Sequence, residues 1–166
     1  SCSNQLRKLG RVRRNLTSEA INSAVRSTIL SRLDYCNSLL SAAGITQLNR
    51  LQKIQKNAAH IISKTQKHES ISPVIRKLHW LTVAKRIQFK ILMIVYKSLH
   101  NMTPRYLTDL VPPYVPSRTL SSSSSRNIKI PKTKQKLTEG AFCVVAPKLW
   151  NNLPVSIKKA DSLTKF

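Results

Sequence analysis

Residues 83 to 100, VAKRIQFKILMIVYKSLH, constrain the fold more than any other stretch of this chain. At helical spacing, Val83, Ile87, Ile91, Ile94 and Leu99 fall on one side, while Phe89, Leu92, Val95 and Tyr96 cover most of the rest. Only a narrow strip of Arg86, Lys90 and Lys97 stays charged. A helix apolar over most of its circumference has to be enclosed by other elements, so this segment is expected at the centre of a bundle. Thr82 is placed to cap it, and Phe89 and Tyr96 are expected in the core.

Enclosing helices are legible on the N-terminal side. Residues 17–41 carry Ile21, Ala24, Val25, Ile29, Cys36, Leu39 and Leu40 on one face, with Thr17 as N-cap and Leu16 and Ile21 spaced as a hydrophobic staple. Arg32 falls near the middle of that stripe. Either the helix ends or rotates there, or the stem reaches out to water, or a carboxylate or partner holds the charge. After Gly44, Thr46 is positioned to cap a helix over 47–63 with Leu48, Leu51, Ile54, Ala58, Ile61 and Ile62 inside. Its other face carries Arg50, Lys53, Lys56, His60 and Lys64 and no acid. Ser72-Pro73 and Thr103-Pro104 each open a short helix.

The texture changes at Pro112. PPYVPSRTLSSSSSR reads as an extended, mobile loop, and RNIKIPKTKQK permits a short strand or ribbon near Asn127–Ile130, on an edge because of Pro131. A helix near Ala141–Trp150 follows, and Ser162 is placed to cap a last one that stops at Phe166. The expected class is therefore mainly α: a small helical bundle with a central apolar helix, then a basic Pro/Ser-rich loop or short β-ribbon and short C-terminal helices. Residues 1–111 are expected as the bundle, 112–138 as a flexible basic linker or ribbon, and 139–166 as a truncated helical segment packing on the bundle. With Ser rather than Met first, the chain reads as a fragment.

Charge says more about partners than about fold. Twenty-nine Lys and Arg against six acids give a net charge of +23. Such an excess repels itself unless a polyanion offsets it, and nucleic acid is the leading candidate. The N-terminal cluster Arg7, Lys8, Arg11, Arg13 and Arg14, the helical set Arg50, Lys53, Lys56 and Lys64, and the alternating Lys129, Lys132, Lys134 and Lys136 are the candidate nucleic-acid-binding residues. They are expected to contact the phosphate backbone of RNA or DNA without reading sequence. A solvated surface, or a nuclear-import signal for the last cluster, is the plainer reading of such charges.

Other chemistries find little support. Glu19, Asp34, Glu69, Asp109, Glu139 and Asp161 are at least fifteen positions apart, whereas a two-metal site needs several converging carboxylates. Cys2, Cys36 and Cys143 match neither zinc-ligand spacing nor a disulfide framework, and His60, His68, His79 and His100 do not join them. No catalytic residue, metal or cofactor is expected, and Cys36 lacks a base within reach. A reduced, intracellular protein without a membrane span is expected. Trp80 and Trp150, each among leucines, are expected to pack in the core rather than stack on bases, with His79 a hydrogen-bonded structural neighbour.

Five strings, SRLDYCNSLL (31–40), LNRLQKIQKNAAHII (48–62), ISPVIRKLHWLTVAKRIQFKILMIVYKSLH (71–100), PRYLTDLV (104–111) and AFCVVAPKLWNNLP (141–154), stand in an order and spacing that mean more together than singly. Together they resemble the region after the polymerase domain in non-LTR retrotransposon reverse transcriptases of the jockey, CR1 and L2 kind. The likeness runs from about Leu6 to Phe166. Thr82 stands where the family usually has Pro, and Glu139-Gly140 where it tends to have Gly-Asp-Arg. The resemblance implies a parent with an endonuclease and an RNA-directed DNA polymerase, whose upstream polymerase domain would be this segment's partner. It also implies a nuclear or nucleocytoplasmic location. The family's paired polymerase aspartates have no counterpart here, so this segment is expected to be non-catalytic. The alternatives are a structural helical module buttressing the polymerase thumb and a degenerate element copy with no selected function.

Overall fold

The computed structural model describes residues 2–66, 68–115, 126–133 and 139–166. Among them the chain is mainly α, without a sheet. The helices are α1 (Cys2–Val12), α2 (Ser18–Val25), α3 (Ser31–Asp34), α4 (Ile45–Ser63), α5 (Ser72–Lys77), α6 (Val83–Leu99), α7 (Arg105–Thr108), α8 (Phe142–Asn151) and α9 (Val155–Lys158). Tertiary contacts group them into two compact units. The first comprises Ser1–Asn37 and Ala43–Ile87, the second Ser38–Ala42 and Gln88–Phe166. The division falls within α6, and the change of texture at Pro112 lies inside the second unit.

In the first unit, Leu6, Ile21, Val25, Ile29, Leu30, Leu33, Ala58, Ala59, Ile71 and Trp80 form one buried cluster. Helix α1 was not legible as an element, yet Cys2, Leu6 and Leu9 follow helical spacing and meet that cluster. Thr17 caps α2 as its sequence predicts, Oγ1 accepting from the Ala20 amide at 3.2 Å. Between α2 and α3, Arg26–Leu30 form a π turn. One extra residue turns everything beyond it by about 100°. Leu30 and Leu33 are buried as a result, and Arg32 is exposed. Hydroxyls serve the loosened carbonyls: Thr28 Oγ1 donates to the Ala24 carbonyl at 2.6 Å, and Ser31 Oγ to that of Ser27.

The helix then ends at Asp34, seven residues before the predicted limit at 41. Tyr35 is extended and Cys36 left-handed (φ 50), so Cys36 and Leu39, expected on the apolar face, are exposed. Gly44 rather than Thr46 is the N-cap of α4. Trp80 is buried as expected, whereas His79 is exposed in a left-handed conformation (φ 53) just beyond α5.

Two glutamines join α4 to the start of α6. Gln55, fully buried, donates through Nε2 to the Leu81 carbonyl at 2.7 Å and accepts through Oε1 from Gln52 Nε2 at 2.8 Å. Gln52 Oε1 accepts from the Val83 amide at 2.9 Å, one of the first-turn donors that a helix cannot satisfy itself. Thr82 Oγ1 accepts from the Lys85 amide at 3.4 Å, as a cap would. Arg86 makes a two-pronged ion pair with Asp34, its Nε 2.7 Å from Oδ1 and its Nη2 on Oδ2.

In the second unit Ile91, Val95, Tyr96, Val111, Ile128, Val144, Ala146 and Trp150 are buried. Tyr96 is thus core as expected, but Phe89 is 48% exposed, because the apolar wheel of α6 has more positions than its neighbours cover. The expected ribbon contracts to one antiparallel bridge, Pro113 with Ile128. A helix side chain replaces the missing strand on the other edge. Asn151 Oδ1 accepts from the Ile128 amide and Nδ2 donates to its carbonyl, both at 2.9 Å. Trp150 Nε1 donates to the Arg126 carbonyl at 2.8 Å, so that ring is a core residue with its one polar atom satisfied. Ser162 starts a single turn rather than a helix. Gly140 lies against Ala42, where a Cβ would come within 2.3 Å of the alanine's own.

Candidate nucleic-acid interface

Burying Leu6, with Cys2 and Leu9 partly covered, leaves the rest of α1 to solvent, and Arg7, Lys8 and Arg11 are all exposed. Beyond α1 a 3-10 turn, Arg13–Asn15, holds Arg13 half-buried and Arg14 exposed. On α4 the same logic holds. Gln55, Ala58 and Ala59 go inward, and Arg50, Lys53 and Lys56 stay outside. Lys64, in the left-handed conformation that ends α4, is also exposed.

Helices α1 and α4 pack together, and a cleft of about 400 Å³ opens where they meet. Arg7 and Arg13 enter it from one side, Asn57 and His60 from the other. His60 Nδ1 lies 3.0 Å from Thr65 Oγ1, which in turn is 2.7 Å from Ser63 Oγ, so the rim is polar. A second cleft, about 520 Å³, adjoins α4 and is lined by Gln52, Lys56, Ser72, Arg76, Trp80 and Thr82. Each cleft thus holds two cationic side chains beside neutral hydrogen-bonding groups. A phosphate backbone, with charged oxygens at regular intervals, is matched by such a surface through charge and hydrogen bonds without base readout.

The only ion pair among the described residues is Arg86–Asp34. None of the described candidate cations is therefore neutralised by a carboxylate there. At physiological ionic strength charges interact over about 8 Å, so cations sharing a cleft repel one another until an anion arrives.

The structure brings Arg7 and Arg13 together with α4, and places Arg50, Lys53, Lys56 and Lys64 along that same helix and its end. Lys129 and Lys132 are exposed in the second unit, in the extended segment after Ile128. Lys134 and Lys136 lie outside the described residues, as do residues 116–125 of the Pro/Ser-rich stretch. Asn57 and Arg76 were missed by sequence reasoning. Asn57 carries no charge, and Arg76 sits in a helix too short for periodicity to assign a face.

Among the described residues no three His, Cys, Asp or Glu side chains converge as metal ligands. Cys2 and Cys143 are half-buried and Cys36 is exposed, all as free thiols. No helix among the described residues is long and apolar enough to cross a membrane. In comparisons with known proteins, no family model, no curated protein and no solved structure matches this chain.

Proposed function

We propose that this chain is a post-polymerase segment of a non-LTR retrotransposon-type reverse transcriptase, and that it binds RNA or DNA through the phosphate backbone. Parentage is supported by the five ordered sequence blocks. Binding is supported by one structural observation above all: Arg7 and Arg13 share a cleft with α4, whose exposed Arg50, Lys53 and Lys56 have no carboxylate partner among the described residues. On this reading the segment does not polymerise. It holds template or target while the upstream domain carries the chemistry, in the nucleus or between nucleus and cytoplasm.

Fluorescence anisotropy with labelled single-stranded RNA, single-stranded DNA and duplex DNA tests the reading. Binding should be micromolar or weaker, and each phosphate contact should contribute about 0.7 to 0.9 to the slope of log affinity against log salt. Replacing Arg7, Arg13, Lys53 and Lys56 with Gln should lower that slope by up to about 3.6. Absence of binding to all three ligands at low salt would sink the proposal. Parentage is tested by the upstream reading frame, which should encode a polymerase region with paired aspartates.

A second reading, a helical module docking on the polymerase thumb, is favoured by large apolar side chains left in solvent in the first unit, Tyr35 at 81% and Ile45 at 71% exposure. Under that reading Tyr35→Ser and Ile45→Ser would abolish docking, and charge removal would change nothing.

A further inference from the structure

Lys158 is 3% exposed, an uncommon place for a lysine. It ends the four-residue helix α9 in the second unit. Its Nζ donates to Asn127 Oδ1 at 3.0 Å and to the Asn151 carbonyl at 2.8 Å. Both acceptors are neutral. An ammonium has three hydrogens and a full charge, so among the described residues one donor and the whole charge are left without a match. Burial pushes the Lys158 ammonium below its ordinary 10.5, as desolvation without an anion requires. No carboxylate among the described residues forms an ion pair with it.

Lys158 lines a cavity of about 310 Å³ together with Leu99, His100, Pro113, Arg126 and Asn127. Arg126 is anchored there by Nη1, 3.4 Å from the Lys158 carbonyl, and its other donors have no partner among the described residues. His100 Nδ1 lies 2.8 Å from the Tyr96 carbonyl. A carbonyl can only accept, so that nitrogen carries the hydrogen, and in the neutral ring Nε2 is an acceptor. The ring is held in place by stacking on Tyr96 at 4.1 Å. Three nitrogen-bearing side chains from three stretches of chain thus line one cavity with no acid among its described lining residues.

An anion with several acceptor oxygens answers this arrangement better than one carboxylate. Lysine supplies a point charge and arginine a planar fork, the usual pair of phosphate contacts. We infer that this cavity is a phosphate-binding site, with Lys158 as the buried charge and Arg126 as the fork. The phosphate is either a free ion or the terminal phosphate of a nucleic acid. The site belongs to the second unit and does not depend on the α1–α4 cleft.

The test uses the full chain. Thermal unfolding is followed in inorganic phosphate and in sodium chloride at matched ionic strength, and affinity is measured by calorimetry. A phosphate-specific rise in Tm is expected in the wild type and in a variant of the exposed Lys148, Lys148→Gln, and its loss is expected in Lys158→Met. Should Lys158→Met fail to fold, the exposed Arg126 carries the test, because Arg126→Gln should weaken phosphate binding at least tenfold. Equal Tm in phosphate and chloride, or undiminished phosphate affinity in Arg126→Gln, overturns the proposal. A 5′-phosphorylated oligonucleotide binding more tightly than its unphosphorylated twin, in an Arg126-dependent way, identifies the nucleic-acid source. Equal binding of the two oligonucleotides alongside Arg126-dependent inorganic phosphate binding identifies the free ion. The backbone-binding proposal is judged on the salt slope of first-unit variants, so either proposal can fail alone.

Discussion

Replacing Gln55 should disturb the start of α6 more than its modest size suggests. Gln55→Ala removes two hydrogen bonds, to Leu81 at 2.7 Å and from Gln52 at 2.8 Å, each worth about 1 kcal/mol net. One methylene of buried packing goes with them, at about 0.8 kcal/mol. The stranded Leu81 carbonyl adds little, since Leu81 is 48% exposed and water can reach it. A loss of about 2–4 kcal/mol follows, a large part of the roughly 5–15 kcal/mol that holds a typical domain together. At about 2–4 °C per kcal/mol for a chain of this size, Tm should drop by about 4–16 °C. Gln55→Glu is the more pointed variant. Its carboxylate would face the Leu81 carbonyl, acceptor against acceptor, in a buried position. The folded-state pKa of that Glu should therefore rise above its unfolded value, so stability is retained in acid and lost as pH climbs through the raised pKa. Urea unfolding followed by circular dichroism gives the energies, and amide exchange at Val83 reports the helix start directly. Should Gln55→Ala cost under about 0.5 kcal/mol, or Gln55→Glu be equally stable at pH 4 and pH 7, the glutamine relay does not hold α6 as described.

Three further outcomes are expected. Gly140→Ala should destabilise by about 1–3 kcal/mol through its clash with Ala42, and Ala42→Gly should restore much of the loss; calorimetric Tm values for the two single variants and the double variant decide this. Asp34→Asn should cost only about 1 kcal/mol, because the pair is two-pronged but the Asp34 side chain is 41% exposed, and the difference from wild type should shrink in high salt on urea titration. The lowered pKa of Lys158 means that the unfolded chain binds more protons between that value and 10.5. Wild-type stability relative to Lys158→Met should therefore rise as pH climbs through that window, measured by denaturant midpoints at successive pH values.

Helices α2, α4 and α6 were legible in the sequence because each buries a face whose spacing survives in the residue string, and α5 and α7 because a proline opens each of them. Helix α1 was not, since its few apolar residues stand among arginines that attract a functional reading first. Periodicity also assumes an unbroken 3.6-residue turn, so beyond the π turn it placed Cys36 and Leu39 on the buried face although both are exposed. Gln55 and Lys158 were illegible for another reason. A buried polar side chain is tolerable only when distant groups meet it, and Leu81, Asn127 and Asn151 come into reach only in the folded chain. Of the candidate site, the sequence showed which residues are basic; which of them share a cleft was a matter of folding.

The π turn at Arg26–Leu30 gives the helix that follows Thr17 an unusual tolerance and an unusual hazard. It stores one surplus residue, so a single deletion there would leave the chain long enough to close a regular helix. Every side chain beyond it would keep its facing, Leu33 inward and Arg32 outward. Tightening the π turn into α without a deletion would instead turn Arg32 towards the core and Leu33 towards water, so the surplus residue sets the register.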